Sequence, residues 1–120
     1  MDFGGQLSAL NRAVALERLG GDEDLLSEIA GLFLEDTQHL MAEIRQAVCA
    51  GDAEGLQRAA HTLKGSVGNF CAERTFQAAC RLEMIGRSGD LAGAADALRN
   101  LESELDTLTP ELTALAANCS

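Results

Sequence analysis

The sequence has little of what nucleic-acid or membrane binding requires. It contains no Trp, no Tyr and only four Phe, so it lacks the aromatic side chains on which unpaired bases stack. Nine basic residues stand against nineteen acidic ones, an excess that disfavours nucleic acid and anionic membranes as partners. No run approaches the ~20 apolar residues needed to cross a bilayer. We therefore expect neither nucleic acid nor membrane as a partner.

The motifs of several enzyme classes are missing as well. The four cysteines include no C-x-x-C pair and fit no zinc template, so we predict no metal site. No glycine-rich phosphate loop and no hydrolase nucleophile motif is present. The N-terminus, "MDFGGQLSAL", lacks the basic and apolar segments of a signal peptide. We expect a soluble cytoplasmic protein.

The residues that are present follow a helical period, with Pro110 as the only proline. Three Gly-Asp pairs, at 21–22, 51–52 and 89–90, predict the end of one helix and the start of the next. Glycine adopts the left-handed conformation that ends a helix, and aspartate caps the free N–H groups of the following one. The predicted helices cover about residues 7–19, 23–49, 53–68, 72–87 and a last segment from about 91.

The last segment keeps its apolar spacing across Pro110, so it is either one helix that continues with a kink or a helix that restarts with Thr109 as its cap. Short loops between long helices make antiparallel neighbours. The sequence thus predicts an all-α fold, an antiparallel up-and-down four-helix bundle with a short additional N-terminal helix. We expect one domain over residues 1–120, with the bundle at about 22–118.

The third predicted helix separates its residues into two faces. At roughly 100° per residue, Ala60, Leu63 and Val67 cluster with Leu56 on an apolar face, whereas His61 lies on the other side. Gly65 and Gly68 lie on the same side of the helix as His61, and Gly65 lies directly opposite Leu56. In a helix interior each glycine costs ~1 kcal/mol of stability relative to alanine. Gly65 either permits a close helix–helix contact or bares the backbone for an approaching partner, and its position favours the second. We interpret Gly68 both as part of the helix end and as a small residue that gives a partner access to His61.

His61 also has a cation, Lys64, one turn later. At neutral pH an ordinary imidazole is mostly uncharged and offers a nitrogen lone pair, and a nearby ammonium would help to hold an anion. The other histidine, His39, has Glu35 and Glu43 one turn away on either side and no glycine nearby, so we interpret it as an ordinary solvated residue. For His61 the alternatives are a solvated side chain without chemistry, a metal ligand or a nucleophile that meets a phosphoryl group.

Three segments carry a resemblance to a known family. "AHTLKGSVGNF", the following "AERTFQAACRLE" and the upstream "LERLGGDEDLLSEIAGLFLED" resemble the histidine-containing phosphotransfer (HPt) domains of multistep phosphorelays, over about residues 10 to 105. The resemblance implies that His61 accepts the phosphoryl group, that Lys64 stabilises it and that Gly65 leaves room for the partner.

The resemblance also implies partners and a mode of action. The phosphoryl group would come from a receiver-domain aspartyl phosphate and pass to another receiver domain, with a hybrid sensor histidine kinase as a further partner. The chain would be a phosphate carrier without autokinase activity, a monomer that needs no cofactor, since Mg²⁺ would be bound by the receiver. Glu83 is expected to make a hydrogen bond or ion pair at a helix interface. The candidate docking residues are Leu16, Leu19, Gln57, Arg58, Gly68 and Arg74.

Two other functions remain open at this point. The chain could be a non-catalytic helical interaction module that binds a partner and uses no chemistry at His61. A metal-dependent catalyst has less support, because no ligand spacing in the sequence suggests a metal site. For Leu16 and Leu19, packing in the core is the alternative to docking.

Overall fold

The computed structural model describes residues 12–70 and 72–117, and the secondary structure of these residues is entirely helical. Each predicted helix is present, with ends within about three residues of those expected. The part of the first predicted helix that covers residues 7–11 lies outside the described residues, as does residue 118. The helices are α1 (Arg12–Arg18), α2 (Glu23–Ala50), α3 (Ala53–Val67), α4 (Glu73–Ser88) and α5 (Ala94–Ala117).

The Gly-Asp pairs end and begin helices as predicted in two of three cases. Gly21 and Gly51 have φ of 81° and 71°, the left-handed conformation that glycine adopts without strain. Asp22 and Asp52 are the N-caps of α2 and α3, and each side chain accepts the backbone N–H three residues later. These caps satisfy donors that the helix itself leaves unpaired.

The third pair departs from the prediction. Gly89 is left-handed, with φ of 80°, but Asp90 does not cap α5. Its carboxylate accepts the N–H of Ala92 at 3.1 Å, within a turn that precedes the helix, and the N–H of Ala94 donates to the carbonyl of Leu91 at 3.0 Å. The last helix therefore begins at Ala94, three residues later than about 91.

The four long helices form a bundle in which α2 and α4 each pack against both α3 and α5. This order around the bundle is that of the predicted up-and-down fold, because consecutive helices are neighbours. The short helix α1 lies against α2 and the 3₁₀ turn Gly68–Phe70 that follows α3. The rings of Phe33 and Phe70 meet edge to face, with centroids 5.3 Å apart, and tie that turn to α2.

Helix α5 continues without interruption through Pro110, which excludes the alternative of a restart capped by Thr109. Proline has no N–H, so the backbone bond from position 110 to the carbonyl of Asp106 is missing. The buried leucines on both sides of Pro110 hold the helix against the core: they are Leu101, Leu105, Leu108, Leu112 and Leu115. No helix within residues 12–70 and 72–117 is long and apolar enough to span a membrane.

Candidate phosphotransfer site

The outer face of α3 has the predicted arrangement. Leu56, Ala60, Leu63 and Val67 are all fully buried, and the side chain of His61 on the opposite side is 67% exposed. Burying the apolar stripe fixes the rotation of α3 about its axis, so the exposure of His61 follows from the position of the leucines. The ring is therefore open to a partner.

His61 is held by a carboxylate from the neighbouring helix. The Nδ1 atom of His61 lies 2.7 Å from Oε2 of Glu83 on α4, and only 4% of the Glu83 side chain is exposed. An ionised carboxylate only accepts hydrogen bonds, so Nδ1 carries the proton and donates it. In the neutral ring this tautomer leaves the lone pair on Nε2.

Glu83 is ionised because two further cations contact it. The Nζ of Lys64 lies 2.7 Å from Oε1, and the Nη2 of Arg87 lies 3.1 Å from Oε2. The hydrogen bond from Lys64 lowers the pKa of Glu83, the bond from His61 lowers it further, and burial of the carboxyl opposes both. The expected ion pair at a helix interface is therefore present, and its partners belong to the candidate site.

A close approach of two helices brings Glu83 under His61. A Cβ atom added at Gly86 would lie 2.6 Å from the backbone N of Gln57 and 2.8 Å from the backbone O of Ala53, distances that real Cβ atoms essentially never show. The absence of a side chain at Gly86, one turn after Glu83 on α4, lets the backbones of α3 and α4 nearly touch. A short acidic side chain on α4 then reaches the imidazole on α3.

A groove of about 430 Å³ runs between α3 and α4 beside His61. Gln57 and Arg58, both predicted from the sequence, line it together with His61. The guanidinium groups of Arg58 and Arg87 bring two positive charges to this groove, and the carboxylates of Glu54 and Glu83 bring two negative ones. The full set of lining residues is Glu54, Gln57, Arg58, His61, Thr62, Glu83 and Arg87.

The two glycines after His61 differ in surroundings. Gly65 is exposed, and a Cβ added there would meet no atom within 4 Å, which supports access for a partner over a helix–helix contact. Gly68 is half-buried and right-handed, with φ of −56°. It begins the 3₁₀ turn, and its carbonyl accepts a hydrogen bond from Arg18 of α1 at 3.3 Å. Gly68 thus serves mainly the end of α3.

The structure does not bring the remaining predicted docking residues to His61. Arg74 lies nine residues before Glu83 on α4, which is about 180° around the helix, and it lines a groove between α4 and α5 instead. Arg74, predicted as a rim contact to the receiver's acidic pocket, therefore lies away from His61, and its role in docking stays a prediction. Leu16 and Leu19 are half-buried and pack against the core, the alternative that their spacing left open.

Sequence reasoning missed Arg87 and the link from Glu83 to His61. A signal for Glu83 exists: it lies on the apolar face of α4 with Ala79 and Leu82, and a buried carboxylate needs a cationic partner. Arg87 follows Glu83 by four residues, the spacing of a helical ion pair. Among the residues that the structure describes, no three His, Cys, Asp or Glu side chains group into a metal site.

The ion pairs of Glu83 predict an acid-sensitive contribution to stability. Because the pKa of folded Glu83 lies below its ordinary value of 4.5, this contribution is complete above pH 4.5 and is lost as pH falls through the lowered value. We expect Glu83→Gln to destabilise the protein at pH 7, and the difference from the wild type to shrink at pH 3. Urea denaturation at both pH values measures it. An equal difference at both would contradict the assignment.

Comparisons with known proteins agree with this fold. A family model described as the Hpt domain matches residues 28–116. The chain is similar to the crystal structure of histidine-containing phosphotransfer protein B from Pseudomonas aeruginosa PAO1, with a TM-score of 0.84, 23% identity and coverage of 93% of this chain and 97% of that one. No curated protein matches the sequence. Since the family model covers most of its length, the chain belongs to the Hpt domain family, whose members carry out histidine phosphotransfer in phosphorelay signalling.

Proposed function

We propose that His61 is the phospho-accepting residue, which takes a phosphoryl group from a receiver-domain aspartyl phosphate and passes it to another receiver. One observation carries the proposal: the Nδ1 of an exposed imidazole is held at 2.7 Å by the ionised Glu83. This contact fixes the ring and directs the Nε2 lone pair to solvent. A nucleophile fixed in this way loses little entropy when the partner docks.

The transfer step needs no proton donor or acceptor in solution. The Nε2 lone pair attacks phosphorus and forms the N–P bond, while the bond from phosphorus to the aspartate oxygen breaks and the carboxylate leaves with the electron pair. The proton on Nδ1 stays on the ring, where Glu83 accepts its hydrogen bond. Onward transfer reverses these changes: a second aspartate attacks phosphorus, and the imidazole leaves with the proton still on Nδ1.

The other requirements of phosphoryl transfer are assigned to the partner. Catalysis of this reaction depends on in-line positioning and charge neutralisation more than on covalent help. We propose that the receiver brings Mg²⁺ and that this chain, as a carrier, has no autokinase activity. A hybrid sensor histidine kinase would supply the first receiver, in the cytoplasm, and the chain would act as a monomer. Incubating the chain with labelled ATP in place of a phosphorylated receiver tests the absence of autokinase activity.

For docking, two exposed leucines lie on the side of α2 that faces α3. Gln46 of α2 lines a groove with Arg58 of α3, and Leu32 and Leu25 lie fourteen and twenty-one residues before Gln46, on the same side of α2. They are exposed by 60% and 38%. We propose that a receiver covers these leucines while Gln57, Arg58 and Gly68 surround its acidic site.

The experiment that tests the proposal is a transfer assay. Wild-type protein is incubated with each phosphorylated receiver domain encoded by the same genome, and label on the chain is followed by gel and mass spectrometry. We expect an acid-labile, base-stable phosphoramidate on the peptide that contains His61. Receivers that bind the chain but never transfer label to it would instead favour a non-catalytic interaction module.

Enlarging Gly65 should separate docking from folding. A glutamine at position 65 extends into the space that the receiver must occupy, so we expect Gly65→Gln to slow transfer by about a hundredfold, the scale of a misplaced reactant. Its thermal stability should be equal or higher, because the helix gains up to ~1 kcal/mol in propensity. Stopped-flow transfer and thermal denaturation measure the two effects.

The matched control is Gly31→Gln on α2. Gly31 is also a helical glycine with no atom within 4 Å of an added Cβ, and it lies away from the side of α2 that faces α3. Its transfer rate should equal that of the wild type. If Gly65→Gln also transfers at the wild-type rate, the receiver does not cover this part of α3.

A further inference from the structure

The two cations that contact Glu83 are held to different degrees. Lys64 contacts Oε1 at 2.7 Å with 25% of its side chain exposed. Arg87 contacts Oε2 at 3.1 Å with 63% of its side chain exposed. Oε2 is also the atom that accepts the hydrogen bond from His61, so the guanidinium of Arg87 already lies beside the imidazole. Arg87 therefore shares its acceptor atom with His61, and its side chain is more exposed and more loosely held than that of Lys64.

We infer that Arg87, rather than Lys64, binds the phosphoryl group on His61, by exchanging its contact with Glu83 for contacts with phosphoryl oxygens. The inference rests on the proposed function and changes the role that the family resemblance assigns to Lys64. Lys64 instead stays on Glu83 and keeps that carboxylate charged and in place. Arg87 would then be a catalytic residue, and Lys64 a positioning residue.

The chemistry of the two cations supports this division. A guanidinium presents several N–H donors in a planar fork that fits two phosphoryl oxygens at once, whereas an ammonium acts as a point charge. If Lys64 moved to the phosphoryl group, Glu83, with 4% of its side chain exposed, would lose its closest cation while a second anion arrived. A buried charge that loses its partner is strongly destabilising. Losing the longer contact from Arg87 leaves the Lys64 pair intact.

The charges around the groove favour the exchange. Phosphorylation at Nε2 adds about two negative charges on the phosphoryl oxygens and, because Nδ1 keeps its proton, one positive charge on the ring. A net negative charge is therefore added near the ionised Glu83 and must be offset. The charged groups that line the groove beside His61 are Arg58 and Glu54 on its own helix, and Arg87 and Glu83 on α4; Lys64 contacts the other oxygen of Glu83. Arg87 contacts the Oε2 atom of Glu83 that also accepts the hydrogen bond from His61, so a rotation of its exposed side chain brings positive charge to the phosphoryl oxygens. No covalent bond changes beyond the N–P bond that forms at Nε2.

The test compares how long phosphohistidine survives in a set of variants. Wild type, Arg87→Ala, Arg87→Lys and Lys64→Ala are each phosphorylated by the same receiver, separated from it and followed by ³¹P NMR at constant pH. For Arg87→Ala we expect the half-life to fall about tenfold, the effect of losing a charge-assisted hydrogen bond, with an unchanged melting temperature. Arg87→Lys should restore part of the half-life, and its ³¹P shift should differ from that of the wild type.

Lys64→Ala should show the opposite pattern, with a lower melting temperature and a half-life close to that of the wild type. Arg81→Ala is the matched control, because Arg81 is an exposed arginine of α4 that lines the other groove. A wild-type half-life for Arg87→Ala together with a shortened one for Lys64→Ala would overturn the inference and leave the proposed function standing. If the wild type accepts no label from any receiver, the proposed function fails, and the inference falls with it.

Discussion

Replacing His61 by glutamine is expected to reduce phosphoryl acceptance below detection while the bundle stays folded. Glutamine has no nitrogen lone pair that can attack phosphorus, because its amide nitrogen is conjugated with the carbonyl. The fold should tolerate the change, since the His61 side chain is 67% exposed and a glutamine amide can still donate to Glu83. Label from a phosphorylated receiver and the circular dichroism spectrum give the two measurements.

His39→Gln is the control for this variant. His39 is the other histidine of the sequence, it is exposed on α2, and its substitution should leave transfer at the wild-type rate. Label on His61→Gln at the wild-type level would mean that another residue accepts the phosphoryl group. Loss of label in both variants would point to a general defect in docking rather than to a specific nucleophile.

Gly86→Ala is expected to destabilise the protein strongly, although it adds only one methyl group. The new Cβ would meet the backbone of Gln57 and Ala53 at 2.6 to 2.9 Å, and backbone atoms cannot move aside as a flexible side chain can. The helices α3 and α4 must separate, at a cost of about 1–3 kcal/mol for overpacking, which exceeds the ~1 kcal/mol that alanine gains in helix propensity.

The same separation should impair phosphotransfer, because Glu83 moves away from the ring that it holds. We expect Gly86→Ala to lower both the urea midpoint and the transfer rate, the latter by tenfold or more if about 1.4 kcal/mol of positioning is lost. Gly65→Ala provides a matched change on α3, at a glycine with open space around it. It should be as stable as the wild type or more so. Equal stability of both alanine variants would refute a structural role for Gly86.

Much of the fold could be predicted, because it is determined by residues that are close together in the sequence. The spacing of Leu56, Ala60, Leu63 and Val67 determines which side of α3 is buried, and His61 is exposed as a consequence. Glycine and aspartate at the helix ends determine the backbone conformation and the hydrogen bonds of residues only a few positions away. The prediction failed at Asp90, where a turn separates the aspartate from the helix: its carboxylate accepts the N–H of Ala92, and the N–H of Ala94 donates to the carbonyl of Leu91.

The candidate site was only partly predictable, because it depends on the distance between two helices. His61, Gln57 and Arg58 lie on one helix, so a helical wheel places them together. The contact between His61 and Glu83 depends on the register of α4 against α3, and the spacing of apolar residues along either helix does not predict that register. Gly86 indicates where the two helices meet, because a glycine one turn from a buried acidic residue suggests a close approach of two helix backbones. The same register turns Arg74 to the far side of α4.

All the residues that line the groove beside His61 come from α3 and α4, two consecutive helices joined by one short connection. The chemistry of the site is thus encoded in a single stretch of 36 positions, from Ala53 to Ser88. The leucines proposed to meet the receiver lie on α2, outside that stretch. Substitutions on α2 are therefore expected to alter receiver preference without changing the phosphohistidine chemistry, whereas the docking residues on α3 lie within the stretch that encodes that chemistry.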